Sequence, residues 1–317
     1  MRVLLTGGAG FIGSHVAEAF LRRGDAVAIL DNFDPFYDPA LKRRNMEEVA
    51  ASGRVVLHEE DLRDAASLRR IVADERPDVI VHLAAKAGVR PSLEQPALYS
   101  EVNVLGTQHL LDAARAAGTP HFVFGSSSSV YGNSPRRPFR EDDPADQPVS
   151  PYAATKRAGE LICRAAVASG GPAVTALRFF TVYGPRQRPE MAIRLFATRI
   201  LRGEELRLFG SGTSERDYTF VSDIVRGVLR AADTGNSFRV LNLGGVETTR
   251  LTDLVRMLGE ALDLSVRVRH EKDQPGDVEH TSADLTAVRQ SLGWAPEVSL
   301  QEGLAHFARW LKAAPRA

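Results

Sequence analysis

Short apolar runs alternate with amphipathic stretches through the first 180 residues. Residues 3–5, 26–30, 55–57, 79–83, 122–124 and 174–179 are rich in β-branched or aromatic side chains and bounded by Gly, Asp or Pro, so each reads as a buried strand. Between them apolar side chains return at helical spacing. Ile12, Val16, Ala19 and Phe20 share one face, and further helices are predicted over about 64–75 and 99–117. Such alternation builds a doubly wound parallel sheet with helices on both faces, an α/β fold. Beyond about Phe180 the rhythm changes. Gly184-Pro185-Arg186-Gln187-Arg188-Pro189 precedes less regular elements, among which 222–232 reads as a helix and 240–243 as one more strand of the first sheet. The expected division is a domain of residues 1–180 with a returning segment at about 222–246, and a smaller, mixed, discontinuous domain over 181–317.

The turn between the first strand and the first helix is Gly7-Gly8-Ala9-Gly10-Phe11-Ile12-Gly13. Glycines at 7, 10 and 13 permit a tight turn, close approach of a pyrophosphate to the backbone, and close helix–strand packing. The phosphates then meet free N–H groups at the helix N-terminus. An ordinary strand–helix turn can also be glycine-rich, so the second strand matters. It closes on Asp31, where a carboxylate accepts from ribose hydroxyls and repels a 2′-phosphate. The pattern points to NAD rather than NADP. Asp61-Leu62, after the third strand, is placed to reach an adenine.

Tyr152-Ala153-Ala154-Thr155-Lys156 follows a Ser-Pro pair suited to a helix start. Spacing of four residues puts phenol and ammonium on one helical face, about 6 Å apart along the axis. A phenol of ordinary pKa ~10 is a poor base at neutral pH, and a neighbouring ammonium favours its phenolate. The run Ser126-Ser127-Ser128-Ser129-Val130-Tyr131-Gly132 begins at the end of a predicted strand, the edge at which doubly wound sheets bind ligands.

Composition narrows the class. The chain has 317 residues, enough for a sizeable core without disulfides or a structural metal. Its 40 Lys+Arg balance 40 Asp+Glu, which argues against a nucleic-acid partner, since phosphate affinity needs uncompensated cations. The single cysteine, Cys163, excludes an intrachain disulfide and reads as a small packing residue. The eight His show no ligand spacing, so no metal is expected. No apolar run approaches the ~20 residues of a membrane span. The chain start lacks the pattern of a secretory leader, and a cytoplasmic location is expected.

Taken together, the glycine turn, the serine run and the Tyr-Lys pair resemble the extended short-chain dehydrogenase/reductases that act on nucleotide sugars. The likeness spans nearly the whole chain. It includes His82-Leu83-Ala84-Ala85, Asn103-Val104-Leu105-Gly106-Thr107, Arg178-Phe179-Phe180-Thr181-Val182-Tyr183-Gly184-Pro185, Arg216-Asp217-Tyr218-Thr219-Phe220-Val221 and Gln274-Pro275-Gly276-Asp277. The resemblance implies a Rossmann-like cofactor domain, a smaller substrate domain, and a homodimer through the helices carrying 103–117 and 152–169. It also implies a tightly bound NAD regenerated in each turnover. It gives Tyr152 the acid/base role, Lys156 the nicotinamide ribose and the phenol's pKa, and Ser127, with Ser128 and Ser129 beside it, the reacting oxygen. Cofactor contacts would come from Gly7, Gly10, Phe11, Ile12, Gly13, Asp31, Asn32, Asp61, Leu62, Leu83, Ala84, Ala85, Lys86 and Asn103.

The residues after Ser127 select among reactions. Sugar 4,6-dehydratases of this group carry Asp-Glu there, and uronate decarboxylases a Glu at the second position; this chain has Ser128-Ser129. Without a carboxylate, proton transfers beyond C4 lack their agent. The implied reaction is 4-epimerisation: oxidise C4, let the ketone turn, and reduce it from the other face. Asp31-Asn32-Phe33-Asp34-Pro35-Phe36-Tyr37-Asp38-Pro39-Ala40-Leu41-Lys42, Ala87-Gly88-Val89-Arg90 and Arg188-Pro189-Glu190-Met191-Ala192 look like the UDP-glucuronate 4-epimerases. One position departs: those enzymes commonly have Gln where Lys86 stands. The implied substrate contacts are Arg188 and Arg90 on a sugar carboxylate, Arg216 on a diphosphate, and Thr181, Met191, Phe209 and Asp277 around them. The expected substrate is a UDP-hexuronate. A 4-epimerase of UDP-glucose or UDP-N-acetylglucosamine, and a non-catalytic NAD sensor, are the alternatives. Despite the zero net charge, the cleft is expected to be locally positive, with Lys86, Arg90, Lys156, Arg188 and Arg216 converging on it.

Overall fold

The computed structural model describes residues 1–209, 212, 214–235, 237–271 and 280–313, Phe209 by its backbone alone. The chain begins β1 (Arg2–Thr6), α1 (Phe11–Arg23), β2 (Ala26–Leu30), α2 (Pro39–Ala51), β3 (Val55–His58), α3 (Ala65–Glu75) and β4 (Val79–His82). It continues through α4 (Val89–Glu94), α5 (Pro96–Ser100), a π-helical turn (Glu101–Leu105), α6 (Gly106–Ala117) and β5 (His121–Ser127). A 3-10 turn (Ser128–Tyr131), α7 (Pro151–Ala168) and β6 (Ala173–Phe179) follow. The remainder is β7 (Thr181–Tyr183), α8 (Ala192–Leu201), β8 (Leu206–Phe209), β9 (Glu215–Phe220), α9 (Val221–Asp233), β10 (Arg239–Leu243), β11 (Thr248–Arg250), α10 (Leu251–Leu262), β12 (Val268–Glu271), α11 (Thr286–Leu292) and α12 (Leu300–Ala313).

Seven strands form one parallel sheet in the order β3-β2-β1-β4-β5-β6-β10. The order reverses between β1 and β4, and the carboxyl ends of the strands there open a crevice for a ligand. Strands β11, β9 and β7 form a three-stranded sheet, and β12 pairs with β8. The α9 helix joins the sheets: Val221, Ile224, Val225, Val228 and Ala231 are buried in one continuous apolar core that runs from Val3 to Phe307.

Two expectations need correction. Strand β3 is not buried, because it is the edge of the sheet: Val56 and Leu57 are 42% and 41% exposed. The single helix expected over 99–117 is broken. A π-helical turn separates α5 from α6, and inside it the Asn103 carbonyl accepts from Thr107 Oγ1 at 2.6 Å. Such turns cluster where a side chain must be re-aimed. Helices α2, α8, α10 and α12 add to the helices expected from the sequence.

Beneath the carboxyl ends of β5 and β6 lies an ion pair with no access to water. Arg178 Nε and Nη2 each donate to Glu160 at 2.9 Å, with side chains 1% and 0% exposed. Ser126 Oγ (2.6 Å) and Arg157 Nη1 (2.8 Å) complete the carboxylate's shell. Burial pushes the Glu160 carboxyl up, but the hydrogen bonds and charge of Arg178 outweigh it and hold it below its ordinary value. The guanidinium lies over the Tyr131 ring at 4.6 Å, and Tyr131 Oη donates to Asn242 at 2.7 Å, which ties in β10. Glu160→Gln is expected to cost about 3–5 kcal/mol of unfolding free energy, because the guanidinium keeps its charge in a dry site. Chemical denaturation reads this directly. The double variant Glu160→Leu/Arg178→Met should cost distinctly less, since it leaves no fully buried charge unpaired and Arg157, 28% exposed, can turn to water.

Candidate active site

The glycine turn has the shape its sequence demands. Gly7 (φ +73°) donates from its N–H to Leu30 O at 2.8 Å, and a Cβ on it would stand 2.7 Å from Ala84 N. A Cβ on Gly13 would lie 2.1 Å from Gly7 O, so the helix and the turn are in backbone contact. The N-cap of α1 is Gly10, with no side-chain cap and no acid in the first turn. Its N–H groups face a cavity of about 460 Å³ lined by Gly7, Gly10, Phe11, Ile12 and Gly13. A bare helix N-terminus behind a glycine cradle suits a pyrophosphate.

Asp31 closes β2 against this cradle. Its carboxylate accepts from Ala9 N (3.1 Å) and Phe33 N (2.9 Å), with Lys42 Nζ at 3.8 Å. Farther along the wall, Asn32 donates to Asp61 at 2.9 Å, and Arg63 grips Asp61 through Nε and Nη2, both at 2.9 Å. The Arg63 hydrogen bonds hold the Asp61 carboxyl down to about 2. Leu62, Leu83, Ala84, Ala85 and Lys86 line the same cavity.

Helix α7 begins at Ser150, whose Oγ accepts from Ala153 N at 3.1 Å, with Pro151 at the first position. That start delivers Tyr152 to the cavity, where it and Ser127 are both lining residues. Burial raises the phenol's pKa; the neighbouring Ser127 and the charge of Arg188 oppose the rise. Arg188, which the spacing along α7 did not suggest, thus acts on the phenol. Lys156 extends toward the sheet and donates from Nζ to Gly125 O at 2.7 Å. Burial lowers its pKa to about 8. Ser129 Oγ donates to Ser127 Oγ at 2.9 Å, and Ser129 lines the cavity; Ser128 does not.

Three of the five expected cations meet at the cavity. Lys86, Lys156 and Arg188 line the cavity, whereas Arg90 on α4 and Arg216 on β9 are not among its lining residues. Lys86 is tied to Asp34 at 3.0 and 3.2 Å, so its charge is balanced within the cavity wall. Arg188 pairs with Glu190 at 2.7 Å and stacks over Phe36 at 5.9 Å, and Lys86 Nζ stands 5.5 Å from the same ring. Thr181 and Met191 complete this end. The Phe209 side chain and Asp277 lie outside the described residues.

Asn103 does not face the cavity. It is 3% exposed, accepts from Lys86 N at 2.7 Å, and donates to Lys86 O and to Thr155 Oγ1, each at 3.0 Å. Thr155 Oγ1 donates to Tyr152 O at 2.8 Å, so Asn103 positions the wall on one side and the tyrosine on the other. His82 bonds Thr6 Oγ1 (2.7 Å) and Thr107 Oγ1 (3.0 Å) and is fully buried. Burial drives its pKa to about 3, so it is neutral. Sequence reasoning passed over Tyr99, which has no exposed surface, packs edge-on to Tyr152 (ring centroids 6.4 Å apart) and donates to Ala87 O at 2.6 Å. Cys163 is buried and its thiol is pushed up by burial, as suits a packing residue.

A parallel seven-stranded sheet, a glycine cradle at its switch point and a Ser-Tyr-Lys group at its carboxyl edge define an extended short-chain dehydrogenase/reductase. The chain belongs, within that class, to the GDP-mannose 4,6 dehydratase family, whose model matches residues 4–307. It is 42% identical to UDP-glucuronate 4-epimerase 3 of Arabidopsis thaliana, over 97% of this chain and 76% of that one. Among solved structures it is similar to UDP-glucuronic acid 4-epimerase from Bacillus cereus in complex with UDP-glucuronic acid and NAD. There the TM-score is 0.92 and the identity 35%, over 98% and 99% of the two chains. UDP-glucose 4-epimerase from Thermotoga maritima with UDP-glucose matches with a TM-score of 0.89 at 32% identity, over the same shares.

The buried lysine sets a test. With a folded pKa of about 8 against 10.5, Lys156 binds fewer protons in the folded than in the unfolded chain between those values. Its contribution is therefore least favourable below about pH 8 and recovers as pH rises to 10.5. Lys156→Met should abolish turnover while leaving the melting temperature of the cofactor-free protein at pH 7 unchanged or roughly 2–5 °C higher, measured by thermal denaturation.

Proposed function

We propose that the protein interconverts UDP-glucuronate and UDP-galacturonate by NAD-dependent 4-epimerisation. The observation that carries this reading is the composition of one cavity. Tyr152, Ser127 and Arg188 line it together, and Ser129 stands where a dehydratase or decarboxylase would need a carboxylate. NAD fits the glycine cradle, with Asp31 on its ribose and Asp61 and Leu62 toward its adenine; when bound it takes the C4 hydride and returns it. Ser127 and Tyr152 hold the 4-hydroxyl, and Tyr152 takes its proton on oxidation and gives it back on reduction. Lys156, held by Gly125 O at the cavity floor, orients the nicotinamide ribose.

A uronate poses its own difficulty. The 4-keto intermediate is a β-keto acid and loses CO2 when its carboxylate bond aligns with the carbonyl π system. Arg188 keeps that carboxylate ionised and turned away through a charge-assisted grip. The same guanidinium favours the Tyr152 phenolate, which links substrate recognition to the base. In this reading residues 1–180 with 222–246 hold the cofactor and the remainder holds the sugar nucleotide. The protein works in the cytoplasm as a homodimer, for which Leu105 (48% exposed) and Leu161 (52% exposed) offer apolar surface on the helices concerned. Among the described residues no helix is long and apolar enough to cross a membrane.

Incubation of purified protein with UDP-glucuronate should yield UDP-galacturonate, resolved by chromatography; turnover of UDP-glucose or UDP-N-acetylglucosamine in its place would reassign the substrate. Tyr152→Phe should lower kcat by about 10²–10⁴-fold. Arg188→Ala should slow uronate turnover and raise the yield of UDP-pentose, and unchanged uronate kinetics would remove Arg188 from the mechanism.

A further inference from the structure

Arg186 stands two residues before Arg188 in the left-handed region (φ +63°), although it carries a full side chain. A non-glycine residue there costs of order 1–2 kcal/mol and persists where its surroundings over-determine it. Here they do. The guanidinium, 9% exposed, meets Glu18 of α1 at 2.5 Å and also pairs with Glu48 of α2; Glu18 is itself 6% exposed. One residue earlier, the Pro185 carbonyl lies 2.9 Å from His15 Nε2. A carbonyl only accepts, so His15 donates through Nε2. Burial and the adjacent Arg186 lower that imidazole's pKa below its ordinary value. Three side chains of the first two helices thus grip residues 185 and 186, and the next positively charged side chain enters the cavity.

We propose that Arg186 is a positioning residue: clamped between Glu18 and Glu48, it fixes where Arg188 meets the substrate. The same helix that carries Glu18 and His15 begins at the glycine cradle. The clamp therefore references the sugar-carboxylate end of the cavity to the cofactor end, across a chain separation of 168 residues between Arg186 and Glu18. Its effect on binding is greatest for ligands that carry a carboxylate on the sugar. This inference rests on the reading that Arg188 binds that carboxylate.

The test uses the holoenzyme. Arg186→Gln should raise KM for UDP-glucuronate about ten-fold, the scale of one misaligned charge-assisted hydrogen bond, and lower kcat with it, because a displaced Arg188 also supports the Tyr152 phenolate less. The inhibition constant of UDP, which has no sugar, should not move. Arg186→Gln leaves the buried Glu18 carboxylate with Arg22 Nη2 alone, at 2.9 Å; Glu18→Gln/Arg186→Gln is therefore measured beside it and should show the same KM rise without that buried imbalance. An unchanged KM in the double variant overturns the proposal, and so does a parallel rise in the UDP constant, which marks general distortion. Arg188→Ala separates the two layers. If it raises KM while the Arg186 variants do not, the positioning role alone fails; if it leaves KM unchanged, the carboxylate reading and the clamp built on it both fall.

Discussion

The dry ion pair between Arg178 and Glu160 sets the relative positions of the groups at the chemical edge of the sheet. Glu160 lies one turn beyond Lys156 and two beyond Tyr152 on α7. Ser126, which donates to it, precedes Ser127, and Arg178 precedes the cavity-lining Phe179 and leads toward Thr181. One carboxylate thus joins the helix bearing the acid/base pair to the strand bearing the serine and to the strand that turns toward the substrate. Two charges removed from water hold this geometry strictly, because any separation leaves both without solvation. Tyr131 and Asn242 carry the same order to the outer strand.

A neutral network does for the cofactor end what the ion pair does for the chemistry. Thr6, His82, Thr107, Asn103 and Thr155 are linked in sequence from the glycine turn to the carbonyl of Tyr152. Burial keeps the histidine uncharged, so the network does not change its hydrogen-bond roles over the range where the enzyme works. The π-helical turn is the local cost of aiming Asn103 at Lys86 and Thr155 together.

Charge within the cavity is balanced at short range. Lys42 faces Asp31, Arg63 faces Asp61, Lys86 faces Asp34 and Arg188 faces Glu190. Such pairing explains how a chain of zero net charge can offer several cations to an anionic ligand without a large unbalanced field. Arg188 stands apart by its reach, since it opposes the burial-driven rise in the pKa of Tyr37, Tyr99 and Tyr152 alike.

The periodicity of short apolar runs was enough to read the parallel sheet, because strands flanked on both sides and covered on both faces need continuous apolar runs. The glycine turn, Asp31 and the Ser-Tyr-Lys group were equally legible, since their chemistry depends on backbone freedom and fixed spacing along one element. Edge exposure of β3 was not, because burial depends on what lies beside a strand. Nor was the partner of any cation: nothing in the order of residues shows that Lys86 meets Asp34, that Lys156 turns to Gly125, or that Arg188 acts on Tyr152. Arg90 and Arg216 read as parts of the same cleft, yet neither is among its lining residues. The chain alone determined which elements form and which chemical groups stand at their ends. Only the tertiary structure decided which charges neutralise one another and which act on the reacting phenol, because electrostatic energy depends on distance and burial in space rather than on separation along the chain.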